Sequence, residues 1–231
     1  MSSKGSKSSA VKIYLQTTLF CNMKCRHCCY DSGPDRREFM SMDVFQAALR
    51  WEPQALLNVG GGEPTCHPLF WDFMAAAVRT RGRGRVWLAT NGKLAWQAKL
   101  LASMVECGEI VGVLSQDEWH EPIRQDVVDA WADLRNAKGQ PRIRNVGQGN
   151  VLPVAEGRCD WGVEVCNGWG GPWVMTDGTV RQCGCSDSPV IGNVFDGYES
   201  KDNFWLCGCN RGNPNRRRNA RVRMSGDGRA A

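Results

Sequence analysis

The sequence lacks any long hydrophobic run. None of its apolar segments approaches the roughly 18 residues that a helix needs to span a bilayer, which argues against an integral membrane protein. Residues 1–9 carry Lys4 and Lys7, but no apolar stretch follows them, so they do not form a secretory signal peptide. We expect residues 1–9 to be a disordered tail of a cytoplasmic protein that has no membrane partner.

An export signal is also missing, which argues against a disulfide-stapled secreted protein. The chain has 12 cysteines in 231 residues, and it is longer than the mini-proteins that depend on disulfides. In a reducing cytosol, closely spaced cysteines more often bind metal. The net charge of +5 is partly an end effect, because arginines are concentrated in residues 210–231. We expect that segment to be a basic, disordered tail.

Strand-like and helix-like segments alternate between residues 10 and 150. The predicted strands are 11–18, 55–59, 85–89, 110–114 and 142–146. The predicted helices are 41–50, 68–79, 94–105 and 122–138. Such alternation implies a parallel sheet with right-handed crossovers, and about five units are too few for a closed barrel of eight. The predicted fold is therefore α/β, a partial (β/α) barrel of about five to six units, with ligands at the carboxyl ends of the strands.

The composition changes after residue 150. Helical periodicity disappears, and glycine, tryptophan and cysteine become dense. Asp177-Gly178 lies between two short strand-like segments, which predicts a β-hairpin. Because this region has few aliphatic residues, a metal cluster would supply the constraint that a hydrophobic core does not. We therefore expect a small cysteine-rich extension after the barrel.

Three cysteines follow the first predicted strand with the spacing C-x3-C-x2-C, namely Cys21, Cys25 and Cys28. Three thiolates on one loop can hold three irons of a 4Fe–4S cluster and leave the fourth iron open to a ligand. A zinc knuckle or a set of buried thiols would also fit the spacing alone. The position of the loop at the end of a strand, where the active sites of such folds lie, favours a catalytic cluster.

Gly61-Gly62-Glu63-Pro64 follows the second predicted strand. With the cysteine motif, it resembles the radical S-adenosylmethionine (SAM) superfamily. The resemblance implies that SAM chelates the open iron through its amino and carboxylate groups, and that the Gly-Gly-Glu-Pro segment hydrogen-bonds the methionyl amino group. His27 resembles a position that packs near the adenine, and Asn91 resembles the end of the third strand. Ser115 and Asp117 resemble a fourth-strand position that reaches the ribose.

The resemblance also implies a chemistry. An external one-electron reductant such as flavodoxin or ferredoxin would reduce the cluster, and SAM would be cleaved to methionine and a 5′-deoxyadenosyl radical that abstracts hydrogen from a substrate. Two more residues are candidates for catalysis. Cys66 could donate a hydrogen atom, and His120 could act as an acid or base, although a structural position before Pro122 explains His120 equally well. We expect Cys107 to be a buried core thiol.

A second cysteine group follows residue 150. Cys166, Gly178 and Cys183 have the spacing C-x11-G-x4-C, which resembles the opening of the SPASM and twitch extensions of some radical SAM enzymes. The resemblance implies one auxiliary 4Fe–4S cluster in a shortened, twitch-like unit over residues 151–209. Its expected ligands are Cys159, Cys166 and Cys183, completed by Cys207 or Cys209, with Cys185 also eligible. A zinc site that staples the same hairpin is the alternative.

The substrate expected from this resemblance is a peptide or protein, as for a peptide maturase. The chain has no room for a leader-binding domain of its own, so a separate leader-binding protein is an expected partner. A nucleotide, sugar or other small molecule is the alternative, because the arginine-rich tail would attract phosphates. A zinc-containing nucleic-acid-binding protein is the non-enzymatic alternative, but it leaves the Gly-Gly-Glu-Pro segment without a role.

Overall fold

The computed structural model describes residues 12–51, 53–144, 172–184 and 188–198. The described elements are, in chain order, β1 (Lys12–Thr18), α1 (Met42–Leu49), β2 (Leu56–Gly61), a 3₁₀ turn (Pro64–Cys66), α2 (Phe70–Arg81), β3 (Val86–Thr90), α3 (Ala95–Glu106), β4 (Val111–Ser115), α4 (Gln125–Ala132), β5 (Ile143–Arg144), β6 (Trp173–Val174), β7 (Thr179–Arg181), β8 (Val190–Asn193) and β9 (Gly197–Tyr198). No helix in these ranges is both long and apolar enough to cross a membrane.

These strands form a single sheet in the order β5-β4-β3-β2-β1-β6-β7-β8-β9. Strands β1 to β5 run parallel to their neighbours, and β6 adds parallel to β1. The strands from β6 to β9 pair antiparallel. The parallel core with helical connections confirms the predicted α/β partial barrel and its number of units. The domain boundaries at residues 9, 150 and 209 stay predictions.

The hydrophobic core lies between the sheet and its helices. Ile13 of β1 pairs with Leu57 of β2, and both side chains are fully buried. Phe45 of α1 stacks on Phe73 of α2 with 4.1 Å between the ring centroids. Because successive side chains of a strand point to opposite faces, Tyr14 lies on the face of β1 opposite to Ile13 and is also buried. Both faces of β1 are therefore covered, as is usual for a central parallel strand.

Two local expectations were wrong. Helix α4 ends at Ala132 instead of continuing to residue 138, because the Asn136 carboxamide accepts hydrogen bonds from the backbone N–H groups of Lys138 and Gln140 and closes a turn. Cys107 is exposed rather than buried. It follows the last residue of α3, and the next residue, Gly108, has a φ of 74°, which turns the chain away from the core.

The glycine triplet at the end of β2 is explained by three different close contacts. A Cβ atom at position 60 would overlap the Tyr14 phenol oxygen. Cβ atoms at positions 61 and 62 would overlap the carbonyl oxygens of Thr18 and Phe20. Gly61 also has a φ of 131°, which side chains rarely permit. The end of β2 can therefore lie directly against the chain that follows β1, which carries the first cysteines.

We expect Gly60→Ala to lower the free energy of unfolding by about 1–3 kcal/mol, the usual range for an overpacked core. The Tyr14 ring cannot yield easily, because it is stacked at 3.5 Å on the ring of Trp173 and its oxygen accepts a hydrogen bond from Gly61. Chemical denaturation of the anaerobic protein measures the effect. In a Tyr14→Ala background the same substitution should cost close to nothing, and an undiminished cost there would contradict this account of Gly60.

Candidate active site

The three cysteines of the first motif lie on one loop at the carboxyl end of β1. The backbone N–H of Cys21 donates to the Gly33 carbonyl at 3.2 Å, and that of Cys28 donates to the Cys25 carbonyl at 3.2 Å. Two further backbone N–H groups point at sulfur, from Met23 to Cys21 Sγ and from Ser32 to Cys28 Sγ, both at 3.4 Å. The loop therefore holds its thiols half-buried with backbone donors directed at two of them.

Electrostatics oppose ionisation of these thiols in the bare protein. The pKa of Cys21 is raised to about 12, chiefly by burial and in smaller part by Glu63, Cys25 and Cys28, although the N–H of Met23 acts to lower it. Each thiolate formed here would stand near other negative groups in a partly desolvated place. A cation bonded to all three sulfur atoms would offset that repulsion. The donor set thus fits an iron–sulfur cluster, which takes cysteine thiolates as ligands.

Glu63 joins the ends of β2 and β3. Its side chain is buried, and its carboxylate accepts hydrogen bonds from Thr65 N at 3.2 Å and Thr65 Oγ1 at 2.6 Å. It also accepts from Thr90 Oγ1 at 2.9 Å and from the backbone N of Asn91 at 2.7 Å. Burial raises the pKa of Glu63, whereas the donors of Thr65, Asn91 and Thr90 lower it. The Glu63 carboxylate of the Gly-Gly-Glu-Pro segment therefore holds the end of β2 to the end of β3 by hydrogen bonds.

Asn91 connects Glu63 to the cysteine loop by hydrogen bonds. Its Nδ2 donates to Asn22 Oδ1 at 2.9 Å and lies 3.6 Å from Cys21 Sγ. Sequence reasoning missed a second link, made by Lys93 and Glu121. Lys93 Nζ donates to the Asn22 carbonyl at 2.9 Å and to the Glu121 carboxylate, which also accepts from the backbone N of Lys24. No sequence motif identifies the Lys93–Glu121 pair, because the two residues are far apart in the chain and lysine and glutamate are common on protein surfaces.

Cys66 faces the same loop. Its thiol accepts a hydrogen bond from the backbone N–H of Asn22, the residue after Cys21. Burial raises the pKa of Cys66 to about 12, with Glu63 as the next cause, so its sulfur carries a proton at neutral pH. The structure therefore places Cys66 beside the cysteine motif, and its role as a hydrogen donor stays a prediction.

Three residues from separate parts of the motif analysis meet beside the cysteine loop. His120 Nδ1 lies 2.7 Å from Asp117 Oδ1, and the His27 ring meets the His120 ring edge-on with centroids 4.8 Å apart. Trp119 donates its backbone N–H to the same Asp117 oxygen at 2.9 Å. Asp117 thus acts as a hydrogen-bond partner of His120. Its predicted contact with ribose is not tested by this arrangement.

Ser115 has a partner that sequence reasoning missed. Arg144, the last residue of β5, donates from Nη2 to Ser115 Oγ at 2.9 Å, and its buried Nε has no hydrogen-bond partner within the part of the chain that the structure describes. Burial lowers the pKa of Arg144, and the nearby Asp117 carboxylate raises it without forming a direct ion pair among the described residues. A guanidinium in such a place attracts an anion. The sequence signal for Arg144 was its place in the predicted strand at residues 142–146.

Aromatic side chains form a wall next to Arg144. The ring of Trp173, in β6, stacks on Tyr14 and lies 5.7 Å from the ring of Tyr30, which follows the cysteine motif by two residues. Burial raises the pKa of Tyr14 to about 12, so this phenol is neutral. A Cβ atom at Gly184 would touch the Trp173 ring, so the hairpin carrying the second cysteine group packs on this wall.

The second cysteine group is described at one position. Cys183 is half-buried, and its backbone N–H donates to Ser188 Oγ at 2.9 Å. The hairpin predicted around Asp177-Gly178 is present as β6 and β7, and Gly178 has a φ of 86°. The other expected ligands lie outside the described residues: Cys159, Cys166, Cys185, Cys207 and Cys209. The auxiliary cluster therefore stays a prediction.

Comparisons with known proteins agree with this geometry. A protein of Pyrococcus furiosus, the tungsten-containing aldehyde ferredoxin oxidoreductase cofactor-modifying protein, is 32% identical over 121 residues, which are 50% of this chain and 33% of that protein. The chain therefore spans about a third of the length of this curated relative.

Two solved structures share the fold. One is BtrN in complex with AdoMet (S-adenosylmethionine) and 2-DOIA, with a TM-score of 0.53 and 13% identity over 88% of this chain and 85% of that chain. The other is anSMEcpe with bound AdoMet and Cp18Cys peptide, with a TM-score of 0.51 and 15% identity over 87% of this chain and 81% of that chain. At these identities the likeness concerns the fold.

Residues 15–128 match the Radical SAM superfamily, a range that includes the cysteine loop, the Gly-Gly-Glu-Pro segment and the ends of β3 and β4. Members of this superfamily use a 4Fe–4S cluster and SAM, which the thiol set of the loop fits. Residues 15–128 of the chain therefore match a radical SAM superfamily domain, and this match supports an enzyme.

Proposed function

We propose that Cys21, Cys25 and Cys28 hold a 4Fe–4S cluster with one open iron, and that this enzyme uses it to modify a peptide or protein substrate. The observation that carries the proposal is the direct contact between the cysteine loop and the Gly-Gly-Glu-Pro segment, in which Glu63 N donates to the Phe20 carbonyl at 3.0 Å. When reduced by an external donor, the cluster with bound SAM supplies a 5′-deoxyadenosyl radical that abstracts hydrogen from the substrate.

The spread of the sulfur atoms supports a cluster over a single zinc ion. Zinc–sulfur bonds of about 2.3 Å in a tetrahedral site bring thiolates within about 4 Å of one another. In the described part of the chain, three potential metal ligands have donor atoms within 4.8 Å of one another, namely His27, Asp117 and His120. The three cysteines do not form such a group. Thiols that each bond a separate iron need no such convergence.

Arg144 and Ser115 supply a place for the anionic end of SAM. The carboxylate of the methionyl group needs a partner in a site from which water is excluded. Arg144 presents a buried Nε and is already oriented by Ser115 Oγ, so little is lost in ordering it. Tyr14 and Trp173 exclude water from the adjoining wall. We propose that this pair binds the SAM carboxylate.

The substrate class is supported by a neighbour of the same fold, which was solved with AdoMet and a peptide. The rings of Tyr14 and Trp173 are buried and stacked on each other, so they close the interior beside Arg144 and do not by themselves select a substrate. A small-molecule substrate is the second candidate, favoured by the likeness to the structure solved with 2-DOIA. A separate leader-binding partner belongs to the first candidate, whereas both candidates require a flavodoxin- or ferredoxin-like reductant.

Anaerobic reconstitution with iron and sulfide should give about eight irons per chain, falling to about four when Cys21, Cys25 and Cys28 are all changed to alanine. The remaining four would belong to the auxiliary cluster. Cys107→Ala, at an exposed thiol, is the matched control and should leave the iron content unchanged. Four irons per chain that fall to none in the variant would show that the protein has no auxiliary cluster. Zinc without iron would contradict the proposal and favour a nucleic-acid-binding protein.

Arg144→Gln should weaken SAM binding by about 10- to 100-fold, the equivalent of one charge-assisted hydrogen-bonded pair. Equilibrium dialysis of the reconstituted enzyme with labelled SAM measures it. Arg135→Gln is the control, because the Arg135 guanidinium is exposed and bonds backbone carbonyls. Decarboxylated SAM, which lacks the carboxylate, should bind the unchanged enzyme and the Arg144→Gln variant equally. If it also loses affinity with Arg144→Gln, the arginine does not recognise the carboxylate.

Formation of 5′-deoxyadenosine should rise when the reduced enzyme and SAM are incubated with a peptide fraction of a cell extract. Chromatography of the nucleoside product measures the rate, and Cys21→Ala should form none. The small-molecule fraction of the same extract is the comparison. A rise with that fraction alone would overturn the peptide assignment and leave the second candidate, without affecting the cleavage of SAM.

A further inference from the structure

Two of the three histidines of the chain meet one buried carboxylate outside the cysteine motif. His27 lies between Cys25 and Cys28 in sequence, whereas Asp117 and His120 follow β4. One ligand atom from each of these residues lies within 4.8 Å of the other two. The remaining histidine, His67, is engaged elsewhere, since its two ring nitrogens bond the Met40 carbonyl and the backbone N of Leu69.

We propose that His27, Asp117 and His120 form a binding site for a divalent transition-metal ion such as Zn²⁺. Two imidazoles and one carboxylate are the ligand set of many zinc sites that keep an open position, and of the two-histidine-one-carboxylate sites of ferrous iron. Zinc bonds of about 2.0–2.2 Å to nitrogen and oxygen place ligand atoms a little over 3 Å apart. Small side-chain rotations bring the observed atoms to that spacing.

The surroundings favour an ion over a solvated charge pair. The Asp117 side chain has 0% of its surface exposed and that of His120 has 9%, so neither is shielded by bulk water. The backbone N–H of Trp119 donates to Asp117 Oδ1 and holds the carboxylate in position, as outer contacts of metal ligands do. The Trp119 ring, 6.4 Å from the His27 ring and covered by the Arg26 guanidinium at 4.8 Å, closes one side.

Such an ion would also join two segments that the fold brings together. His27 belongs to the cysteine loop and the other two ligands belong to the segment after β4. Glu121 already connects the same segments, because its carboxylate accepts from the backbone N of Lys24. The metal would therefore add a second link between the cysteine loop and the segment after β4. The proposal concerns the enzyme without SAM, because the resemblance places His27 near the adenine and Asp117 near the ribose, and the test is therefore made without SAM.

The test uses the enzyme reconstituted with iron and sulfide, so that cysteines are occupied by iron. The protein is exposed anaerobically to Zn²⁺, freed of excess ion and measured for zinc content and zinc X-ray absorption. We expect about one zinc per chain with a shell of nitrogen and oxygen neighbours near 2.0–2.1 Å. Asp117→Asn and His120→Ala should each reduce the affinity for zinc at least about 10-fold.

Glu118→Gln is the matched control, because Glu118 is an exposed carboxylate of the same segment. It should retain the zinc. Circular dichroism shows whether each variant is folded, and His27→Ala on the other loop tests the site if an Asp117 variant is not. Zinc bound with sulfur neighbours near 2.3 Å, zinc retained by all ligand variants, or no zinc at all would each overturn the proposal. The iron content of the same sample shows whether the cluster cysteines are occupied, which separates a failed cluster from a failed histidine site.

Discussion

The site depends on one backbone contact, where the end of β2 lies against the chain that leaves β1. Gly62 N donates to the Thr18 carbonyl at 2.7 Å, and Glu63 N donates to the Phe20 carbonyl at 3.0 Å. Side chains at positions 61 and 62 would occupy the space of those carbonyls, so glycine is required at both. Cys21 follows Phe20 directly, and Glu63 follows Gly62. The glycines therefore bring the first thiol and the bracing carboxylate into one place.

Around this contact, several buried groups differ in how well their charge is compensated. Glu63 is satisfied by four protein donors, and Asp117 is bonded by His120 and by the Trp119 backbone. In contrast, the thiol of Cys21 stands near other negative groups. Arg144, at the carboxyl end of β5, has Ser115 as its hydrogen-bond partner within the described residues. Since desolvated charge without a partner is costly, the arrangement suits a cation at the thiols and an anion at the guanidinium.

Most of the described fold follows from local pattern. The predicted strand at residues 11–18 is β1, and the predicted helix at 41–50 is α1, which Ser41 caps by accepting from Val44 N. The hairpin around Asp177-Gly178 follows from turn chemistry in the same way. Helix α4 is the exception, because the side chain of Asn136 competes with the helix for backbone donors. Apolar periodicity does not report that competition. The usual burial of free cysteines, on which the expectation for Cys107 rested, likewise does not report that this residue follows the end of α3.

The sequence by itself determined which residues can carry the chemistry: the spacing of Cys21, Cys25 and Cys28, and the Gly-Gly-Glu-Pro segment, are local features that chain connectivity preserves. The tertiary structure alone decided which residues from distant segments stand beside them. Arg144 reaches Ser115 because β5 pairs with β4, and His27 reaches His120 because the loops after β1 and β4 meet at one edge of the sheet. Hydrogen bonds and ring contacts depend on distances in space, and a sequence pattern records separations only along the chain.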